Sequence, residues 1–406
     1  MKFNKWTMGL AALGVVGLNS AVQADEKASS VMTAVSATTL SGYVDTSAQW
    51  NFADGNSHNP GYAYNNGSKA NGFNLNVVGL RLEKVADAAD QWGAGYKVDT
   101  LFGPDAVNYS HVVGAANSQF AVKQAYVDLK APVGNGLDIK MGVVDNPNRF
   151  EVFESGNNPN FTRSYGYGIE ATTLTGLIAT YQFAESLSAS AGVADSVSAN
   201  INSFGKPANE ATSYKSYLGN VTITVPKDMG FASGSTIYGG ILNGGGNASP
   251  SPYGVNSQET SFYAGVSLNT PVKELKVGAT YDYKAVGNTA LSKSGYQNAT
   301  GVYGNYQVSE KFSLNFRGEY FSQSGYLAGG FDTAAQFAGA GVVLPKSAIE
   351  GTVTAEYDLW KNVISRVEFR WDHNTSSINN VNNVGFGPNG SEKNAFELIG
   401  NVVYKF

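Results

Sequence analysis

From Leu40 onward the chain alternates apolar and polar side chains with a period of two, the spacing that puts every second residue on one face of a β-strand. In the first run Leu40, Gly42, Val44, Thr46, Ala48, Trp50 and Phe52 share one face, while Tyr43, Asp45, Ser47, Gln49 and Asn51 share the other. The pattern returns over Trp92–Phe102, Leu137–Val143 and Leu275–Ala285, and again where Val367, Phe369 and Trp371 oppose Arg366, Glu368, Arg370 and Asp372. Residues Asn71–Lys84 change phase near Val78, which a β-bulge explains. Phe331–Leu344 is rich in Ala and Gly and reads as a loop ahead of a strand over Ile349–Leu359.

The connections alternate too. Short turns fall at 85–91, 131–136, 184–186, 226–233, 270–274, 309–311 and 360–362, and long loops near 53–72, 103–118, 146–171, 198–212, 244–258, 287–295, 325–347 and 374–393. That predicts an all-β fold, a transmembrane antiparallel β-barrel of about sixteen strands (roughly 14 to 18), with short periplasmic turns and long extracellular loops. One strand face is apolar enough to meet lipid, and a sheet in lipid must close on itself because an open edge would strand unpaired peptide groups in hydrocarbon. Aromatics gather beside the short turns, as at Tyr181 and Phe183, Phe312, and Tyr357 with Trp360. Such residues form girdles at membrane interfaces.

Composition agrees. Of 406 residues, 48 are glycine, 12% are aromatic and only 15% are charged, which suits many strands joined by turns better than a soluble enzyme core. The absence of cysteine leaves neither a disulfide framework nor thiol chemistry. A net charge of −5 disfavours nucleic acid as a partner. Lys2 and Lys5, the apolar run Met8–Leu18 and the small-residue site Val22-Gln23-Ala24 have the form of a signal peptide over 1–24. Its removal would take the formal charge from −5 to −7. Residues 25–37 then form a periplasmic lead-in, and 38–406 the barrel.

The last strand places Phe396, Leu398, Gly400, Val402, Tyr404 and Phe406 on one face. With its final aromatic it resembles the terminal signal of Gram-negative outer-membrane proteins, which implies Tyr404 and Phe406 as the features read by the barrel-assembly machinery. Longer stretches resemble the β-barrel porin-2 (OmpL-like) family: SGYVDTSAQWNF (41–52), FNLNVVGLRLEK (73–84), AYVDLKAPVGNGLDIKMGV (125–143), FEVFESGNNPNFTRSYGYGIEATTLTGL (150–177) and YDLWKNVISRVEFRWDH (357–373). The resemblance implies a porin of the Gram-negative outer membrane that passes small hydrophilic solutes, surrounded by outer-membrane lipid and without a cofactor. Analogy with general porins extends to a homotrimer.

The residues that would carry such a function fall into two sets. Strand patterning turns Asp45, Lys97, Asp99, Lys140, Arg317, Glu319, Arg366, Glu368 and Arg370 inward as pore-lining candidates, with Lys276, Asp282, Lys284 and Glu356 beside them. A barrel of this size leaves an aqueous channel. The second set lies in 145–171, a long interruption of the alternation that mixes both charge signs with aromatics. It is the third long loop, the one that folds inward in general porins, so Arg149, Glu151, Glu154 and Arg163 are the candidate constriction residues. Two other readings remain open: an adhesion barrel with a plugged lumen, and a barrel hydrolase using His58, His111 or His373. No G-x-S-x-G, H-E-x-x-H or P-loop pattern supports the second, and no Cys/His set suggests a metal.

Overall fold

In a computed structural model the chain is described from residue 38 to 406, apart from 53–58, 62–63, 65–68, 70, 87–90, 108–118, 198, 200, 205–213, 246–257, 288–293, 325–341 and 379–384. The expected signal peptide and lead-in, over 1–37, lie outside the described residues, as do His58 and His111.

The strands are Thr39–Asn51 (β1), the two-residue Asn59–Pro60 (β2), Asn71–Lys84 (β3), Gly93–Phe102 (β4), Phe120–Ala131 (β5), Leu137–Asp145 (β6), Thr173–Ala184 (β7), Leu187–Ala194 (β8) and Ser216–Thr224 (β9). They continue with Thr236–Gly245 (β10), Gln258–Asn269 (β11), Leu275–Val286 (β12), Gly295–Gln307 (β13), Phe312–Gln323 (β14), the two-residue Val342–Val343 (β15), Ser347–Trp360 (β16), Val363–Asn374 (β17) and Asn394–Lys405 (β18). All but β2 and β15, which pair with each other in parallel, form one closed antiparallel barrel in which each strand bonds its sequence neighbours and β1 bonds β18. The barrel therefore has sixteen strands, of 8 to 14 residues, close to the ~9–11 that cross a bilayer.

The faces segregate as the period-two pattern requires. Apolar side chains such as Leu75, Phe316, Val367 and Val402 are exposed on the outside, while Asp45, Asn315, Glu368 and Asn401 point inward and are buried. The phase change in β3 is a bulge: the β1 register passes from Asp45↔Val77 to Thr46↔Leu75 and skips Asn76. Asn76 and Val77 are consequently both buried, and Asn76 uses its inward position to donate to Asp45 at 2.9 Å. Of the expected loop at Phe331–Leu344, residues 331–341 lie outside the described residues.

The seam is closed by nine register pairs from Tyr43↔Lys405 to Asn51↔Glu397 and by a reciprocal main-chain pair between Gly42 and Phe406, 2.9 Å in each direction. The Tyr404 and Phe406 rings stack at 6.3 Å. A Cβ on Gly42 would press into the Gly79 carbonyl oxygen and the Phe406 ring. Gly42→Val should therefore cost about 1–3 kcal/mol as an overpacked site. The measurable result is a lower unfolding temperature in detergent, followed by the heat-induced mobility shift on gels; an unshifted transition would show that the seam has slack.

Candidate functional site: a segment folded into the barrel lumen

The strand pattern breaks between β6 and β7, and the intervening residues 146–172 lie inside the barrel. The segment holds itself together through short polar contacts. Asn146 Oδ1 accepts from Asn148 N at 3.2 Å, and the Asn158 side chain bridges Val152 N (2.8 Å) and Val152 O (2.7 Å). A one-turn 3-10 helix follows at Ser155–Asn157. Ser164 caps a five-residue helix, Tyr165–Ile169, by accepting from Tyr167 N at 3.0 Å, the usual role of an N-cap hydroxyl.

So short a segment cannot satisfy its own peptide groups, and the barrel wall satisfies them instead. Glu368 on β17 accepts from Phe161 N (2.5 Å), Thr162 N (2.9 Å) and Thr354 Oγ1 (2.6 Å). Glu319 on β14 accepts from Tyr165 N (2.7 Å) and Gly166 N (3.0 Å). The wall also donates: Arg366 reaches Ser155 O and Asn158 O at 2.8 and 3.2 Å, Arg370 reaches Arg163 O at 2.8 Å, and Lys405 reaches Gly156 O at 2.9 Å. Asp45 on β1 takes the Ser155 hydroxyl. At its start the segment crosses to the far wall, where Asn148 bonds Asn220 on β9 at 2.9 Å and Phe150 packs on Tyr303 at 4.4 Å between ring centres. It is thus pressed against a continuous arc running from β9 through β12–β18 to β1.

Against β3–β5 the segment packs Phe153 and Tyr167 into a buried apolar cluster with Val77, Leu101 and Ala121, and beside that contact the β3–β6 arc leaves a space open. There a cavity of about 320 Å³ is lined by Arg81, Lys97, Tyr126, Asp128, Lys130 and Lys140 from the wall and by Arg149, Val152 and Glu154 from the segment. Glu154 reaches across to this wall, 3.1 Å from Lys123 and 3.7 Å from Arg81. Lys123 also pairs with Asp145 at 2.6 Å, and Arg81 with Asp99 at 2.7 Å. Burial alone would push the Glu154 carboxyl up, but Lys123 and then Arg81 outweigh it and hold it down at about 2. The carboxylate therefore stays ionised throughout the neutral range.

Residues 37–406 match the family described as "Putative beta-barrel porin-2, OmpL-like". The chain belongs to this porin family. Its fold is also that of solved outer-membrane proteins. The outer membrane channel DcaP of Acinetobacter baumannii is 12% identical, with 93% of this chain and 99% of that chain covered and a TM-score of 0.57. The anion-selective porin from Comamonas acidovorans is 13% identical, with 91% and 99% covered and a TM-score of 0.58. The trimer form of OmpT, an outer membrane protein of Vibrio cholerae, is 12% identical, with 91% and 99% covered and a TM-score of 0.55. No curated protein matches the sequence.

Within this porin the expected constriction residues separate into two pairs. Arg149 and Glu154 border the open cavity, although Arg149 also pairs with Glu170 at 3.2 Å and lies over the Tyr167 ring at 4.4 Å. Glu151 and Arg163 are buried. Glu151 accepts from Ser164 N (2.8 Å) and Arg317 Nη1 (3.0 Å), and Arg163 donates to the Phe153 and Phe161 carbonyls. Those two shape the segment from within and do not line the cavity.

The expected pore-lining residues divide in the same way. Lys97 and Lys140 face the cavity, and Asp99 sits behind Arg81 with Gln124 at 3.0 Å. Asp45, Arg317, Glu319, Arg366, Glu368 and Arg370 point inward as expected, but they are at most 4% exposed because the segment covers them. Sequence reasoning overlooked Arg81, Lys123, Lys130 and Asp145 as site residues. Lys123 escaped because the β4–β5 register shifts between Asp99 and Thr100, which breaks the two-residue count. As for hydrolysis, Asp372 and His373 are strand neighbours on opposite faces. Asp372 is held inside by Arg370 at 2.8 Å, while His373 meets Asn394 at 2.8 Å, so the two form no catalytic pair.

Removing the Glu368 carboxylate would leave two segment N–H groups without their acceptor, at about 1–3 kcal/mol each. Glu368→Ala should therefore loosen 146–172 while the barrel persists, seen as faster protease cutting inside this segment in the folded protein. Cutting at the wild-type rate would mean that the remaining wall contacts suffice.

Proposed function

We propose that solutes cross this outer-membrane porin through the gap between segment 146–172 and the β3–β6 wall, with Arg149 and Glu154 facing Arg81, Lys123 and Lys140 at the selective level. The observation that carries this reading is the polar cavity left between the segment and the β3–β6 wall. Passive diffusion of small hydrophilic solutes follows from that lining. The charged β3–β6 arc adjoins β7–β10, whose four strands contain no charged residue at all and turn Ser188, Ser190, Asn220 and Thr222 inward. Ions and uncharged hydroxylated solutes therefore each find a compatible wall, whereas apolar solutes find neither.

The Glu154 bridge to Lys123 and Arg81 also narrows the lumen, which is what favours the second reading, a plugged barrel that adheres. Single-channel recording in a planar bilayer separates the two. Stable open steps support diffusion, and a folded but silent barrel supports the plug. Glu154→Gln uncovers two cations. A unit charge about 8 Å from a passing ion is worth roughly 0.5 kcal/mol for either sign in water. The anion/cation permeability ratio should accordingly rise about fivefold, and an unchanged reversal potential would remove Glu154 from the permeation path. We also infer a homotrimer, supported by the fold shared with the trimer form of OmpT. Electrophoresis of the unheated protein should show a species of three times the chain mass that collapses on boiling.

A further inference from the structure

Nearly every buried acid under the segment has N–H or O–H donors. Glu151, Glu319, Glu368 and Asp372 each take two or more, the last from Arg370 and from Tyr165 Oη at 2.8 Å. Asp282 on β12 differs. It is 3% exposed, its Oδ1 accepts from no described protein donor, and its side chain shares one small pocket with another acid, Glu170 at the segment's C-terminal end. Two ionised carboxylates are both acceptors and cannot bond each other, whereas a proton shared between them lets them do so.

Other groups face the pair. Arg149, at 3.2 Å from Glu170, neutralises one charge of the two, and Glu151 adds a further negative charge from the segment. Tyr238 on β10, Tyr263 on β11 and Tyr303 on β13 complete the surroundings, and Glu319 approaches across Gly166. Lys284, two residues along β12, is paired with Glu259 at 2.9 Å. One positive charge thus faces two acids in a dry site, a deficit that neutralisation by a proton relieves.

We propose that Glu170 and Asp282 bind one proton between them, and that this proton latches the C-terminal end of segment 146–172 to β12, so that the segment's seating weakens as pH rises. The consequence for current rests on the diffusion reading above. Burial pushes the latched Glu170 carboxyl up against the pull of Arg149, whereas a released, solvated Glu titrates near ~4.3. Above that value the latched form holds a proton that the released form has lost. Raising pH therefore disfavours the latched form, by up to about tenfold per pH unit, until the latched pair itself gives up the proton.

Bilayer recordings of the whole porin from about pH 5 to about pH 8 should show brief closures that grow more frequent by up to about tenfold per unit and then plateau. In Asp282→Asn the amide donates an N–H to Glu170 whatever the pH, so closures should stay rare throughout. Glu170→Gln should behave alike and serves if the first variant folds poorly. Wild-type closures independent of pH, or an Asp282→Asn channel that keeps the full pH response, would overturn the latch. So would closures that change on adding calcium or EDTA at fixed pH, since a metal ion would then hold the pair. A barrel silent at every pH sinks the diffusion reading alone. The latch is then read from trypsin cutting after Arg163 relative to Asp282→Asn at the same pH, where a ratio rising with pH supports it and a flat ratio overturns it.

Discussion

Hydrocarbon offers a peptide group no hydrogen bond, so each strand edge in a bilayer needs a neighbour. The β1–β18 seam meets that need by joining segments more than 340 residues apart in sequence, as in Asp45↔Val403 and Trp50↔Leu398. Closure then dictates the rest of the barrel. Each strand must turn one face to lipid and the other to an enclosed space, and period-two alternation is the only pattern that supplies both faces on every strand. The apolar outside and the charged inside are two results of this single requirement.

Closure creates a second problem, because sixteen strands enclose more volume than their own side chains fill. The segment after β6 occupies part of it, yet it enters as nearly bare backbone, with one turn of 3-10 helix and one turn and a half of α-helix. Its peptide groups would be costly to bury unpaired. The wall acids and arginines of β14 and β17, with Lys405 of β18, are their partners, and the segment's N–H groups are in turn what lets Glu319 and Glu368 remain buried. Neither side of the interface would be stable without the other. This is why residues that look like channel-lining charges in the sequence serve as mounting points.

The strands, their seven short turns and the bulge in β3 were legible because each depends on a local period. The side of the wall that would carry the segment was not, since Glu368 meets Phe161 across 207 positions and no local pattern encodes that pairing. One signal was nevertheless present. Between Thr173 and Gly245 the four strands β7–β10 hold no charged residue, whereas β17 alone holds Arg366, Glu368, Arg370 and Asp372. Inward charge at such density exceeds what a wet wall needs, and its uneven distribution around the barrel marks the arc that has backbone to satisfy. Arg149 and Glu154 could be recognised as bordering the lumen, but Glu151 and Arg163 could not be told from them, because all four share one composition and differ only in where the chain folds back.

The uneven wall also shapes the channel. With the segment bonded to β9, β14, β17, β18 and β1, the cavity it leaves lies beside β3–β6. The cavity there is lined by charges of both signs, Arg81, Glu83, Lys97, Asp128 and Lys140 on the wall and Arg149 and Glu154 on the segment. The placement of those charges depends on how firmly the segment holds Glu154 at its 3.1 Å approach to Lys123. The charge pattern at the open side is therefore set by the hydrogen bonds made on the closed side, at the far end of the same short stretch of chain.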